Sequence, residues 1–411
     1  MIKSYISNIK LFSRNAKLFL VGNFCLSIGI NIFWLLYNLY LKELGFQEGF
    51  IGNVLSLRSV GSVLIALPAA ALINRVHIRY VVIGGALFSA VGFFLQSVIT
   101  TKSGLILAGL YTGMTTTFYM VASAPFFMRN STERERVYLF SINSALGMGA
   151  GIFGSILGGV VKTVFYSLTH SEVISYRFAL ISAVIIALLG VIPYLKLREK
   201  PIPKREHTGW KYLKRMMKET NWNIIFKLAL PGFIVGMGAG LTIPFINLYF
   251  RDVFHLKTNM IGIIFAMGQG AVLLGMLSSP LIASKIGKVK AILITQLISI
   301  PFMLILGYVR FIPVVILAFL VRGALMNMGI PISSTFSMEK VSEKEHAITN
   351  SILMLSWTSS WAISALIGGH IIEKFGFTLC FGLTSGLYLV SAILYYTFFR
   401  KDMVEKIRIV G

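Results

Sequence analysis

Residues 38–43 read Asn38-Leu39-Tyr40-Leu41-Lys42-Glu43, and residues 247–252 read Asn247-Leu248-Tyr249-Phe250-Arg251-Asp252. Position by position the two stretches keep an amide, an apolar residue, a tyrosine, a second apolar residue, a base and an acid. The same offset of about 210 residues recurs along the chain. Thr132-Glu133-Arg134-Glu135-Arg136 matches Ser342-Glu343-Lys344-Glu345-His346, Ser141-Ile142 matches Ser351-Ile352, and Gly158-Gly159 matches Gly368-Gly369. A register that survives across separated stretches, with a one-residue slip, marks a duplicated architecture.

The two hexapeptides close the first and seventh of twelve apolar runs. These cover residues 18–41, 50–73, 80–99, 104–128, 137–164, 173–195, 224–250, 259–284, 289–308, 311–338, 347–372 and 377–399. A helix that crosses a bilayer needs about 20 mainly apolar residues at ~1.5 Å rise each, and every run reaches that length. None alternates with period two over about ten residues, the pattern of a membrane-barrel strand. The expected fold is therefore an all-α integral membrane protein with twelve transmembrane helices. The first run is longer than the apolar core of a cleaved leader and has no cleavage site before Lys42, so it is read as a retained span. The basic, partly amphipathic residues 1–17 ahead of it are expected on the membrane surface.

Composition agrees. Only 13% of the 411 residues are charged and 56% are hydrophobic, with a mean hydropathy of +0.79. Soluble domains carry about a quarter charged residues, and disorder needs low hydrophobicity. Both an ordinary soluble enzyme and a disordered chain are excluded. The net charge of +23 follows from topology, not from nucleic acid, because the bases cluster in alternate loops. With the N-terminus inside, 27 of the 38 basic residues fall in inner loops and termini and eight in outer loops, leaving Arg58, Lys227 and Arg322 within runs. The positive-inside rule then places both termini in the cytoplasm, with the basic face toward anionic lipid; the plasma membrane is the expected location. Nine bases and two prolines fall in residues 196–221, between the sixth and seventh runs. The expected organisation is a six-helix half over 1–195, a basic cytoplasmic linker over 196–222 and a second six-helix half over 223–411. Cys25 and Cys380 lie in apolar stretches and read as buried thiols. No Cys/His cluster has metal-ligand spacing, so neither a metal nor a cofactor is expected.

Six spans is an even number, so both halves enter the membrane in the same direction. The result is a pair of parallel repeats. Over nearly its whole length the chain resembles a major facilitator superfamily transporter. In that family the second helix is followed by Gly-x-x-x-Asp-Arg-x-Gly-Arg-Arg, and here the stretch is Ala70-Ala71-Leu72-Ile73-Asn74-Arg75-Val76-His77-Ile78-Arg79. Arg75 and Arg79 match, and Asn74 stands where the family has its acid. The second copy, Ser284-Lys285-Ile286-Gly287-Lys288, keeps a glycine and two bases, again without the acid. The resemblance implies a gating role for Asn74, Arg75, Arg79, Lys285, Gly287 and Lys288; plain topology accounts for the bases equally well. The fifth helix carries Gly154, Gly158 and Gly159 in a pattern similar to family exporters, which favours efflux. Close helix packing is the alternative reading.

No carboxylate sits deep in a run, so general acid–base catalysis has no interior pair to use, and the chain is read as a non-enzyme. Two bases do lie deep. Arg322 is near the middle of the tenth run, and Arg58 lies about 12 Å into the second. An intramembrane charge costs at least about 2.5–3.5 kcal/mol, so it faces protein or a watery cavity. Thr112, Thr116, Tyr119 and Ser123 share one face of the fourth helix. Asn31, Trp34 and Asn38 share one on the first, Asn247 and Asn327 add amides, and Trp357 and Trp361 are four apart on the eleventh. Together these form the candidate substrate cavity, positive and partly aromatic, suited to an anionic or amphipathic small molecule. The expected function is secondary transport by alternating access, acting as a monomer, with protons or another coupling ion entering through Glu43, Asp252 or His370. Uptake or facilitated diffusion, and a non-transporting receptor or lipid scramblase on the same scaffold, are the alternatives.

Overall fold

The computed structural model describes residues 12–73, 76–198 and 220–403. Most of the 1–17 segment and of the 196–222 linker, together with Asn74 and Arg75, lies outside the described residues. Among those described, every long element is a helix. The helices are α1 (Arg14–Glu43), α2 (Glu48–Ile73), α3 (Ile78–Val98), α4 (Lys102–Asn130), α5 (Glu133–Thr169), α6 (Glu172–Leu189) and the short α7 (Val191–Leu195). They continue as α8 (Trp222–Thr242), α9 (Ile246–Asp252), α10 (Thr258–Ile286), α11 (Lys288–Tyr308), α12 (Ile312–Glu339) and α13 (His346–Phe399).

Eleven continuous helical stretches among the described residues are long and apolar enough to cross a membrane. The expected twelve runs map onto these eleven because α13 carries the last two. At Gly376 its backbone turns to φ 78°, ψ 176°, a conformation open essentially to glycine alone. That single residue separates the eleventh run from the twelfth. Prolines lie inside α2, α4, α8, α10, α11 and α12, as membrane helices tolerate.

Contacts divide the chain into two units. One comprises Met1–Ile202 with Ile246–Gln269, the other Pro203–Phe245 with Gly270–Gly411. In the first, α1 packs on α5 and α6, and α4 packs on α2 and α3. Lipid removes the hydrophobic drive between helices, so approach distance and van der Waals contact decide. Small residues supply that approach. A side chain on Gly154 or Gly158 of α5 would press on Ile28, Asn31, Ile32 and Leu35 of α1, and one on Gly159 would press on Asn259. The glycines of the exporter-like stretch thus serve close packing in this unit. Phe19, Tyr119, Phe126, Phe127 and Tyr194 close one end of the unit as an aromatic cluster.

In the second unit α8 packs along α13, and α11 packs on α12 and α13. Gly236 and Gly240 of α8 face Ser360 and Ser364 of α13, a small-residue seam four positions apart. Phe336, Tyr395 and Phe399 anchor a second aromatic cluster.

Candidate solute-binding site

In the first unit two pairs of predicted residues meet. The Asn38 amide donates to Asn247 Oδ1 at 3.4 Å, and Asn247 in turn donates to the Leu35 carbonyl at 2.8 Å. Both amides are buried, and a buried amide needs such partners. One turn beyond, Arg251 pairs with Glu43 and Lys42 with Glu48 at 2.5 Å. The duplicated hexapeptides therefore touch, at the matching Asn38 and Asn247 and through the ends that carry Glu43 and Arg251. Lys162 with Glu172 at 2.5 Å and Tyr176 with Thr258 at 2.6 Å complete this polar end. One Asp252 oxygen there is buried without a hydrogen-bond partner.

Trp34 and Arg58 form the second pair. The Arg58 guanidinium carbon lies 4.1 Å above the Trp34 ring and 5.5 Å from that of Phe93. A close helix crossing makes this possible, since a side chain on Gly113 of α4 would overlap the Arg58 carbonyl. Arg58 is 9% exposed, and no carboxylate or hydrogen-bond acceptor among the described residues engages it. Each aromatic face returns about 2 kcal/mol when desolvated, but neither supplies a hydrogen-bond acceptor. Tyr37, one turn along from Trp34, stacks on Phe33. Its buried hydroxyl has no hydrogen-bond partner among the described residues.

The remaining polar residues on these helices bond locally. Asn31 donates to the Ser27 carbonyl at 2.8 Å and Thr116 to that of Thr112 at 2.8 Å. Thr112 is fully buried, donating to Ala108 and accepting from Gln96 at 2.6 Å. The Tyr119 hydroxyl joins Asn23 of α1 and Tyr194 of α7, tying three helices near the aromatic cluster, apart from Arg58.

In the second unit Arg322 is 6% exposed. It donates to the Tyr388 hydroxyl, while its Nε is buried without a partner. Asn327 bonds to Gly323 at 2.9 Å and does not join it. The Trp357 and Trp361 rings lie 6.1 Å apart; Trp357 is well exposed, and the Trp361 ring nitrogen is buried without an acceptor. Of the loop residues, Arg79 donates to the Leu195 carbonyl at the end of α7 at 2.9 Å, and Lys288 pairs with Glu339. Lys285 lies in the last turn of α10. Gly287 precedes α11 at φ 87°, ψ 154°.

Sequence reasoning passed over Tyr37, Phe93, Gln96 and Tyr388. Each sits in an apolar run where an aromatic or a single amide reads as filler, and only its neighbours from other helices give it a role.

A duplicated set of apolar helices holding a few isolated buried polar groups defines a polytopic helical membrane protein. The major facilitator superfamily model matches residues 19–364 and 228–409, so the chain belongs to the major facilitator superfamily. No curated protein sequence matches it. Among solved structures it is similar to an inward-facing bacterial homologue of the human lysosomal transporter Spinster, with a TM-score of 0.76, 14% identity, and coverage of 94% of this chain and 97% of the other. The nucleoside transporter NupG gives 0.76 at 16% identity, covering 94% and 100%. The human organic anion transporter MFSD10 gives 0.65 at 17% identity, covering 93% and 99%. At these identities the likeness is one of fold.

Proposed function

We propose that this protein is a secondary transporter that carries a small organic solute, anionic or amphipathic, by alternating access, with export favoured over uptake. The observation behind this reading is the meeting of the duplicated hexapeptides, Asn38 with Asn247 and Glu43 with Arg251. Equivalent ends of two repeats joined by a few polar contacts can be parted and rejoined at modest cost, which alternating access requires. The solutes named for the structural neighbours differ from one another, so the buried cations of this chain, not fold likeness, select the solute class. No chemistry on the solute is part of the reading.

Proton coupling is assigned to the Glu43–Asp252 end, where carboxylates lie among bases and one Asp252 oxygen lacks a partner. Reconstitution tests both parts. Organic anions should accumulate in proteoliposomes under an imposed proton gradient and exchange by counterflow without one. Counterflow alone would convert the reading to facilitated diffusion, and the absence of both would remove transport.

A further inference from the structure

Two donors in the first unit have no acceptor. The Arg58 guanidinium is nine-tenths buried and makes no hydrogen bond or ion pair among the described residues, and the buried Tyr37 hydroxyl makes no hydrogen bond. At the nearer end of α2 the acids Glu43, Glu48 and Glu172 are paired with other bases, Arg251, Lys42 and Lys162, and not with Arg58. Trp34 and Phe93 cover faces of the cation but offer no lone pairs. A largely buried cation with aromatic faces and no protein acceptor leaves its open edge to water or to an outside anion.

The geometry narrows the anion. With one face of the guanidinium on Trp34, its edge is what remains, and that fork matches a carboxylate bidentately. A single cation suits a single negative charge. Trp34 itself is 44% exposed. It lies within about 60° of Asn31 and Asn38 on α1 at ~100° per residue, so its open ring shares the helix face that carries the two amides. That ring offers an apolar rest beside the charge.

We infer that Arg58, floored by Trp34, binds the carboxylate of an amphipathic organic monoanion whose apolar body lies along Trp34. The inference rests on the reading of the chain as a carrier of small organic solutes and names the group that solute presents. It also separates the two buried arginines: Arg322 already has the Tyr388 oxygen, and Arg58 is the anion contact.

The test uses the purified full chain with benzoate, 1-naphthoate and octanoate, each beside its neutral amide and beside inorganic phosphate. Tryptophan fluorescence and thermal stability are read together. At least one carboxylate should bind saturably, and its amide and phosphate should not. Arg58→Gln should weaken that binding by about tenfold or more, the equivalent of about 1.4 kcal/mol. Arg58→Lys, which keeps the charge and loses the fork, should fall between. Trp34→Phe should abolish the fluorescence response. Failure of all the carboxylates to bind, equal binding of the amides or of phosphate, or unchanged affinity in both Arg58 variants overturns the inference. Flux of the bound carboxylate in proteoliposomes is scored separately. Binding at Arg58 without flux removes the transport reading and leaves this site standing, and flux indifferent to Arg58 does the reverse.

Discussion

Arg58 and Arg322 are each a buried cation with no carboxylate beside it, and their difference is one oxygen. Tyr388 accepts from Arg322, so removing that hydroxyl strands a charge already carrying one unpartnered nitrogen. Losing one partner of a buried charged donor costs about 1–3 kcal/mol. Tyr388→Phe should therefore lower the unfolding temperature in detergent, and the loss should vanish in an Arg322→Met background; equal losses in both would show that Tyr388 acts by packing alone. The depth of both arginines was legible in the sequence, because depth is counting along one helix. Which of them finds an acceptor was not. Tyr388 lies 66 positions from Arg322 in a run full of aromatics, and Tyr37 and Phe93 look like filler until α1, α2 and α3 are assembled. The same holds for Tyr119, whose helical face suggested a cavity and whose hydroxyl instead ties Asn23 to Tyr194.

At the scale of elements, the spans themselves were legible because length and hydropathy set them. Their ends depend on single residues. Gly287 takes φ 87°, ψ 154° where α10 gives way to α11, so its place in the family loop pattern has a steric basis independent of any gating role. Gly287→Ala should cost about 1–3 kcal/mol, read as a lowered unfolding temperature; an unchanged value would mean the turn relaxes without strain. Glu345 does comparable work at the start of α8. One of its oxygens accepts from the Asn221 backbone at 2.7 Å and the other from the Ser342 backbone and hydroxyl at 3.0 and 2.7 Å. Those hydrogen bonds, the one from Asn221 foremost, hold its carboxyl below the usual glutamate range. A depressed folded value means stability that is complete above the ordinary glutamate pKa and is lost as pH falls through the folded one. Glu345→Gln should thus be less stable than the parent near neutral pH, and the gap should close in strong acid. A gap that persists there would assign the effect to shape, not charge. Ser342 and Glu345 form a capping box, in a stretch that the sequence marked only as part of the repeat. Its link to Asn221, 124 positions earlier, was hidden because it joins segments far apart in the chain.

For the whole molecule, duplication determines which residues are equivalent, and contact decides which of them touch. The offset between Asn38 and Asn247 was readable from the chain alone. Their meeting was not, because periodicity carries no distance between helices. Residues 246–269, from the second half of the sequence, belong to the first unit, and they do so through Asn247, Arg251 and Thr258. If these contacts hold the Glu43 end closed in a transport cycle, weakening them shifts the balance toward opening on that side. Glu43 and Arg251 are 21% and 27% exposed, so their pair is worth at most about 1 kcal/mol, a shift of up to about fivefold. A cysteine at buried Leu35, in a background of Cys25→Ser and Cys380→Ser, reports that opening to an impermeant maleimide added outside. Arg251→Gln should speed its labelling within that limit, and the swap Glu43→Arg with Arg251→Glu should restore the slow rate. Because a swap preserves the attraction while exchanging both side chains, recovery would isolate charge pairing as the cause. Identical labelling in all three proteins would place the closure elsewhere, in the Asn38–Asn247 amides or in the packing of Gly159 on Asn259.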